Sequence, residues 1–290
     1  MELSSLKCFQ TVARLEHMTK AAEILHLAQP ALSRTIRQLE QELGVKLFDR
    51  TGRHLRLNEY GMRFLAKVDL ALRTLEEGRL ELHDLAERPA GTVTLYVQVA
   101  SHLIPELICA FRELHPEVQF KLVQHDPVNG APLPFDLCLT SAPCAIPDTA
   151  SEQLLTEDIV LAVPAGHPLA QRPAIRMSDI RGEGLISLKP GRKLRETTDV
   201  LCRQAGFAPH ILYECDEPSM VRGLVRAGLG VSFLPAVTWS GSQGPSVALI
   251  PIEDARSVRT IDLIWYPGRY MTKAAAAFRD FVRGYFRQLR

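Results

Sequence analysis

The sequence predicts an α+β chain of several domains: a winged helix-turn-helix head, one long linker helix, and a C-terminal α/β region. Three observations predict it. Two helical patterns joined by a short turn and followed by a basic hairpin pattern occupy residues 18–57. A proline-free stretch with apolar residues four and three apart fills 59–87. From residue 91 onward, strand patterns alternate with helix patterns.

In the head, Thr19 is placed to cap a helix over Lys20–His26, in which Ala21 and Ala22 allow a second helix to approach closely. Leu27-Ala28-Gln29 makes the turn. Pro30 falls in the first turn of the next helix, where its missing N–H has no partner to lose. Leu32, Ile36, Leu39 and Leu43 then give one buried stripe. The opposite face carries Ser33, Arg34, Arg37 and Gln41, with Gln29 and Pro30 at its leading end. A short helix with an apolar back and a basic, amide-bearing front suits the major groove. A merely solvated polar face has the same stripe but leaves the next segment unexplained. Lys46–Arg50 alternates polar and apolar, Thr51-Gly52 can turn, and Arg53–Leu57 alternates again, with Leu55 and Leu57 inward. Arg53 and Arg56 are then free for phosphates or the minor groove. Residues 1–58 hold nine Lys/Arg against six Asp/Glu, whereas the whole chain is only +1, so the basic charge is local to the head.

At 290 residues and 46% hydrophobic content, the chain has room for two or three domains. No run approaches the roughly 18 apolar residues of a membrane span. The N-terminus lacks a signal-peptide pattern, so a cytoplasmic protein is expected. Cysteines 8, 109, 138, 144, 202 and 215 include no Cys-x-x-Cys and no zinc-ligand spacing, so free thiols are expected and neither a metal nor another cofactor is implied.

Ala21-Ala22, Gln29-Pro30-Ala31-Leu32-Ser33, Ile36, Leu39-Glu40, Leu43-Gly44, Leu47-Phe48, Arg50 and Leu57 resemble the DNA-binding domain of the LysR-type transcriptional regulators. The resemblance continues more weakly beyond residue 90. It implies that Gln29, Pro30, Ala31, Ser33, Arg34, Arg37, Arg50 and Arg53 contact double-stranded DNA at an interrupted palindrome. It also implies a homodimer or homotetramer, a small-molecule effector and contact with RNA polymerase. The corresponding domains are a head at 1–58, a linker helix at 59–88 and an effector-binding domain at 91–290. That last domain is expected to hold two subdomains like a periplasmic binding protein, I at 92–162 plus 266–290 and II at 163–265. The crossing strands are expected near Leu161–Pro164 and Ile264–Pro267.

Within 59–87, Phe64, Val68, Ala71, Leu75, Gly78, Leu82 and Leu85 form a seam along a helix roughly 43 Å long. Its narrowness favours pairing with a second chain over packing on its own domain, and the family joins two chains in this way. Arg88-Pro89-Ala90-Gly91 then marks a hinge.

Further strands are expected at Thr92–Gln98, Val118–Val123, Asp136–Leu139, Ile159–Val163, Leu185–Leu188, His210–Cys215, Val231–Leu234 and Ile261–Tyr266. Helices are expected at Leu103–Leu114, Lys193–Gln204, Ser219–Ala227 and Thr272–Leu289. Such alternation implies parallel sheets. One departure from the family is His125–Pro134, whose three prolines and one glycine exclude an ordinary helix where the family has one.

Ligands of open α/β folds sit at the carboxyl ends of strands, beside helix N-termini. Candidate effector contacts are therefore Ser101, His102, Thr140, Ser141, Ser187 and Ser219, although Ser101 and Ser219 would serve equally as helix caps. Hydroxyls so placed suit a carboxylate or phosphate, with Lys189, Arg192 and Lys193 as further charges or as a solvated loop. One branch of the family senses peroxide through two cysteines, the first just before a Leu-Arg pair. Here Lys193 precedes Leu194-Arg195, and only Cys202 matches the second position. An enzyme is the rival class, but the Gly-x-Ser-x-Gly, phosphate-loop and His-Glu-x-x-His motifs are all missing. A pure solute-binding protein would not need the basic head.

Overall fold

The computed structural model describes the chain except residues 52–53, 86–88, 125–134, 142–145, 240–245, 256 and 290. Arg53, Cys144 and the His125–Pro134 connection therefore lie outside the described residues. The chain divides into an N-terminal unit, built mainly on Met1–Arg88, and a C-terminal unit of Pro89–Gln124, Phe135–Gly268 and Lys273–Arg290.

The N-terminal unit packs α1 (Leu3–Leu15), α2 (Met18–Ile24) and α3 (Gln29–Leu43) against a hairpin of β1 (Phe48–Thr51) and β2 (His54–Leu57), followed by α4 (Glu59–His83). Its core joins Leu6, Phe9 and Val12 of α1 to Ala21 and Ala22, and to the Leu32, Ile36 and Leu39 stripe. The small pair Ala21-Ala22 is buried, which lets α2 and α3 close on each other. Two details differ from expectation. Helix α2 starts at Met18, because the His17 ring, not Thr19, accepts the Lys20 N–H at 3.3 Å. It ends before His26, which takes a left-handed conformation at φ 53° and turns the chain toward α3.

Gly44 closes α3 at φ 71°, a conformation that costs a side-chain-bearing residue roughly 1–2 kcal/mol. The buried Glu40 then ties α3 to the hairpin, accepting the Leu47 N–H at 2.9 Å and pairing with Lys46 at 2.9 Å. Leu55 and Leu57 pack on the core, which fixes the hairpin register Phe48↔Leu57 and Asp49↔Arg56. Asn58 caps α4 by accepting the Gly61 N–H at 2.9 Å, and a Cβ on Gly61 would collide with the Leu47 carbonyl. Along α4 the expected seam divides. Phe64 and Val68 pack on the head's own core, whereas Leu75 and Leu82 are 57% and 71% exposed.

In the C-terminal unit the first lobe is a sheet of strand order β6-β11-β5-β3-β4. It comprises β3 (Gly91–Val97), β4 (Val118–Val123), β5 (Leu137–Thr140), the first part of β6 (Ala150–Pro164) and β11 (Val258–Trp265). Helices α5 (Ile104–Leu114) and α8 (Lys273–Gln288) pack on it, with the Phe278 ring 5.0 Å from Phe111 and 4.8 Å from Phe120. The second lobe holds the rest of β6, with β7 (Gly184–Leu188), α6 (Lys193–Gln204), β8 (His210–Cys215), α7 (Pro218–Arg226), β9 (Ser232–Pro235) and β10 (Val247–Ile250).

Strand β6 connects the lobes. Its Ala150–Asp158 half pairs with β11, and its Ile159–Pro164 half pairs with β9 and β10. The chain thus changes sheet at Asp158/Ile159 and returns at Ser257/Val258, not near Leu161–Pro164 and Ile264–Pro267 as expected from the sequence. The sheets are also mixed: β3-β4, β3-β5 and β7-β8 are parallel, but every partner of β6 runs antiparallel to it. Ile159, Leu161 and Val163 face one core and Ala162 the other, so this half reads as an unbroken apolar run.

Replacing Glu40 by Ala leaves the buried Leu47 N–H without an acceptor and should destabilise the protein by about 1–3 kcal/mol. Glu40→Gln, which keeps a carbonyl acceptor, should recover part of the loss. Urea unfolding followed by circular dichroism reads both.

Candidate functional site

The candidate residues gather in two separate places. The first is the front of α3. Pro30, Arg34, Arg37 and Gln41 recur at helical spacing and are exposed, as are Gln29 and Ala31. Neither Arg34 nor Arg37 forms an ion pair among the described residues, and nor does Arg56 on β2. The face therefore offers uncompensated positive charge beside amide groups. Ser33 differs from expectation. It is only 9% exposed, on the border of the buried stripe, and its hydroxyl accepts a hydrogen bond from the Gln29 amide at 3.1 Å. The structure thus makes Ser33 a holder of Gln29, whose remaining N–H and carbonyl point of attachment lie on the exposed helix start. Arg50 lies on β1, its side chain outside the description, and Arg53 lies outside the described residues.

The second place is where the two lobes of the C-terminal unit meet. Glu157, on β6 at the crossing, has a fully buried side chain. Its carboxylate accepts the N–H groups of Val237 and Thr238 at 2.9 and 2.7 Å, the Thr238 hydroxyl at 2.7 Å and Arg259 Nε at 2.8 Å. Arg259, on β11, also donates to the Thr238 hydroxyl oxygen at 2.6 Å. Burial pulls the Arg259 guanidinium below its usual value, and the Glu157 carboxylate beside it counters only part of that pull.

His102 sits beside this pair, in a 3-10 turn (Ser101–Leu103) that follows β3. Ala100 turns the chain there at φ 55°, a left-handed conformation unusual for alanine. Both ring nitrogens of His102 are buried and have no hydrogen-bond partner among the described residues. Burial, with the Arg222 and Arg259 cations nearby, pushes the imidazole from 6.5 down to about 4, only partly countered by Glu157 and Glu106. Arg222 belongs to α7 of the other lobe. Its guanidinium lies 5.0 Å from the centre of the buried Trp239 ring, and its Nη1 is buried without a partner.

Of the other candidates, Thr140 and Ser141 are buried at the end of β5, and the Thr140 hydroxyl donates to Gln98 at 2.6 Å across from β3. Ser187 is buried and lines a small cavity with Thr198 and Ser232, whose hydroxyls already donate to the Leu194 and Ile186 carbonyls. Ser219 is exposed, and neither it nor Ser101 caps a helix, because Glu217 and Ala100 occupy those positions. Lys189 is held by Asp216 at 2.8 Å, Arg192 donates to the Asp216 carbonyl at 3.3 Å, and Lys193 pairs with Glu196 at 3.3 Å, so these charges are engaged within their own loop and helix. Sequence reasoning singled out His102 but missed Glu157, Arg259, Arg222 and Trp239. For Arg222 and Arg259 the one signal was a charge within an amphipathic or alternating pattern; Glu157 and Trp239 had none. Cys8, Cys109, Cys202 and Cys215 are free thiols. Burial raises Cys202 to about 11, the reverse of what a reactive thiolate requires.

Residues 3–62 match the family described as bacterial regulatory helix-turn-helix proteins, lysR family, and residues 86–287 match the LysR substrate binding domain. The transcriptional regulator YybE of Bacillus subtilis is 36% identical, with 99% of each chain covered. The transcriptional dual regulator GltC of the same organism is 35% identical over 100% of this chain and 99% of its own. Among solved structures, the full-length OxyR C199D protein of Pseudomonas aeruginosa superposes with a TM-score of 0.72 at 23% identity, covering 98% of this chain and 95% of that one.

The half-buried His102 sets a pH dependence. Its ordinary value is 6.5 and its folded value about 4, so the unfolded chain takes up the proton first as pH falls. The stability that neutral burial confers is complete above about pH 6.5 and is lost as the pH drops toward 4. His102→Phe should flatten this part of the curve, read as the difference in urea midpoints between variant and wild type across that range.

Proposed function

Since the chain belongs to the LysR-type transcriptional regulators, we propose that it reads an interrupted palindrome in double-stranded DNA through α3 and the hairpin. In this reading a small anionic molecule seated between the two C-terminal lobes changes how paired heads are arranged. The observation that supports it most is the α3 face, with Gln29, Arg34 and Arg37 exposed opposite a stripe buried in the head. Arg and Gln at the start of a groove-binding helix match the donor and acceptor patterns of guanine and adenine edges. The hairpin beside it lays Arg56 on an exposed face, suited to phosphate.

Two-fold symmetric DNA calls for two heads, and the exposed half of α4 supplies a surface for pairing them. Leu75 and Leu82 lie one heptad apart there and have no partner within the head. The assembly is a homodimer or homotetramer. An effector acts on it only by binding one arrangement more tightly than the other. Contact with RNA polymerase, residence in the cytoplasm and the absence of catalysis complete the reading. No helix among the described residues is long and apolar enough to cross a membrane.

Gln29→Ala should relax base preference at one position of the site, costing about 1–3 kcal/mol of discrimination there, whereas Arg56→Ala should weaken all sequences alike and lower the salt dependence. Binding to a full panel of single-base substitutions separates the two, and an unchanged Gln29→Ala profile would remove α3 from the reading role. Leu75→Glu places charge where the chains are to pair, so light scattering should show a smaller particle and operator affinity should fall. Unchanged mass would place the pairing elsewhere.

A further inference from the structure

Among the described residues, the ion pairs of α4 are local with one exception. Arg63–Glu59, Arg73–Glu77 and Arg79–Glu76 join neighbours on the helix itself and carry no information about its direction. Asp69 instead reaches another helix, α1. Its Oδ1 accepts Gln10 Nε2 at 2.5 Å and Arg14 Nη2 at 2.9 Å, two donors one helical turn apart. The Asp69 side chain is 21% exposed and follows the buried Val68, at the edge of the apolar seat where α4 meets the core. That seat consists of Phe64, Leu65, Val68 and Leu72, with the Phe64 ring 5.2 Å from Phe9 of α1. Apolar contacts are not directional, so such a seat fixes where α4 lies better than the angle at which it leaves. A hydrogen bond weakens steeply once its donor swings off line, and two converging on one oxygen define a direction. An ion pair this exposed adds little to stability. Its use is geometric.

Helix α1 is also the one against which α3 is packed. Phe9 and Val12 share a single core with Leu32, Ile36 and Leu39, so α1 and α3 move as one body. We propose that Asp69, held by Gln10 and Arg14, sets the angle between this body and α4, and through it the half-site spacing that a pair of heads accepts. The proposal rests on the reading that two chains pair along α4, and it adds the side chains that make the pair selective for distance. One base pair inserted between half-sites moves them apart by about 3.4 Å and turns one about the DNA axis by roughly 35°. A head clamped at one angle cannot follow such a change without breaking contacts on one half-site. A head free to swing on its apolar seat follows it at small cost. Asp69 is thus a positioning residue: it touches no base, and binding to a single half-site does not register its loss.

The test uses the full chain. A site is first selected from random double-stranded DNA, and versions with the central spacer shortened or lengthened by single base pairs are compared with an isolated half-site. Wild type should lose about tenfold or more in affinity for a change of one base pair. Asp69→Ala should cut that penalty to about threefold or less, while its half-site affinity and melting temperature stay close to wild type. Arg14→Met should loosen the preference in the same way. Asp69→Arg should loosen it too, and joining it with Arg14→Asp, which restores the pair with its charges exchanged, should bring the penalty back. A merely structural role does not predict this rescue. If wild type is indifferent to spacing, paired heads are refuted and the proposal with them. If wild type is selective and Asp69→Ala equally so, paired heads stand and the clamp is wrong. A variant that loses half-site affinity or melts lower in step with its spacing preference, or an exchanged pair that stays loose, also overturns the clamp and leaves Asp69 a residue of the head's fold.

Discussion

The C-terminal unit depends on one buried carboxylate. Glu157 stands where β6 leaves one sheet for the other, and it takes four hydrogen bonds: two from the Val237 and Thr238 backbone, one from the Thr238 hydroxyl and one from Arg259. Those partners come from the segment after β9 and from β11, so one side chain ties the outgoing crossing to the returning one. Removing a single partner from such a network typically costs several kcal/mol, because the remaining charge has nowhere to go. The consequence for the site is positional. With both crossings held together, the two lobes are joined through a braced pair of strands.

The head solves a different problem with simpler means. It must be rigid enough to present a reading face yet small enough to have little core. One stripe of α3 is buried against α1 and α2, and Glu40 and Asn58 satisfy backbone groups on either side of the hairpin. The Gln29 to Ser33 bond adds order at the exposed start of α3, since an amide held by a neighbour has less freedom left to lose.

Legibility followed burial. Helix α6 and strand β8 have the bounds expected from their sequence, Lys193–Gln204 and His210–Cys215, because their apolar periodicity is clean. The stripe of α3 was legible for the same reason. The first half of β6 was not. Ser151, Glu152, Gln153, Thr156 and Glu157 carry no strand pattern, and the pairing with β11 that makes them a strand is set by residues about a hundred positions away. Glu157 was invisible as a core residue, since no local pattern announces that a carboxylate will find four donors. The short β10 was hidden in the same way. Ser33 was assigned to the wrong side by a small angle: the border of a helix stripe cannot be drawn from spacing alone. The hydroxyls chosen for the effector site were found by their place after strands, but the exposed Ser219 shows that place does not confer depth.

The division of α4 has a mechanical consequence. Its first turns are fastened to the head through Phe64 and Val68, its later turns leave Leu75 and Leu82 exposed, and the helix runs unbroken through its 25 residues. Such a rod is about 38 Å long. Gripped at the bare end and tilted by about 10°, it carries its other end sideways by about 6–7 Å, close to two base-pair steps of B-form DNA. A displacement too small to notice among packed side chains at one end is therefore enough, at the other, to shift what the rod carries by more than the spacing of one base pair.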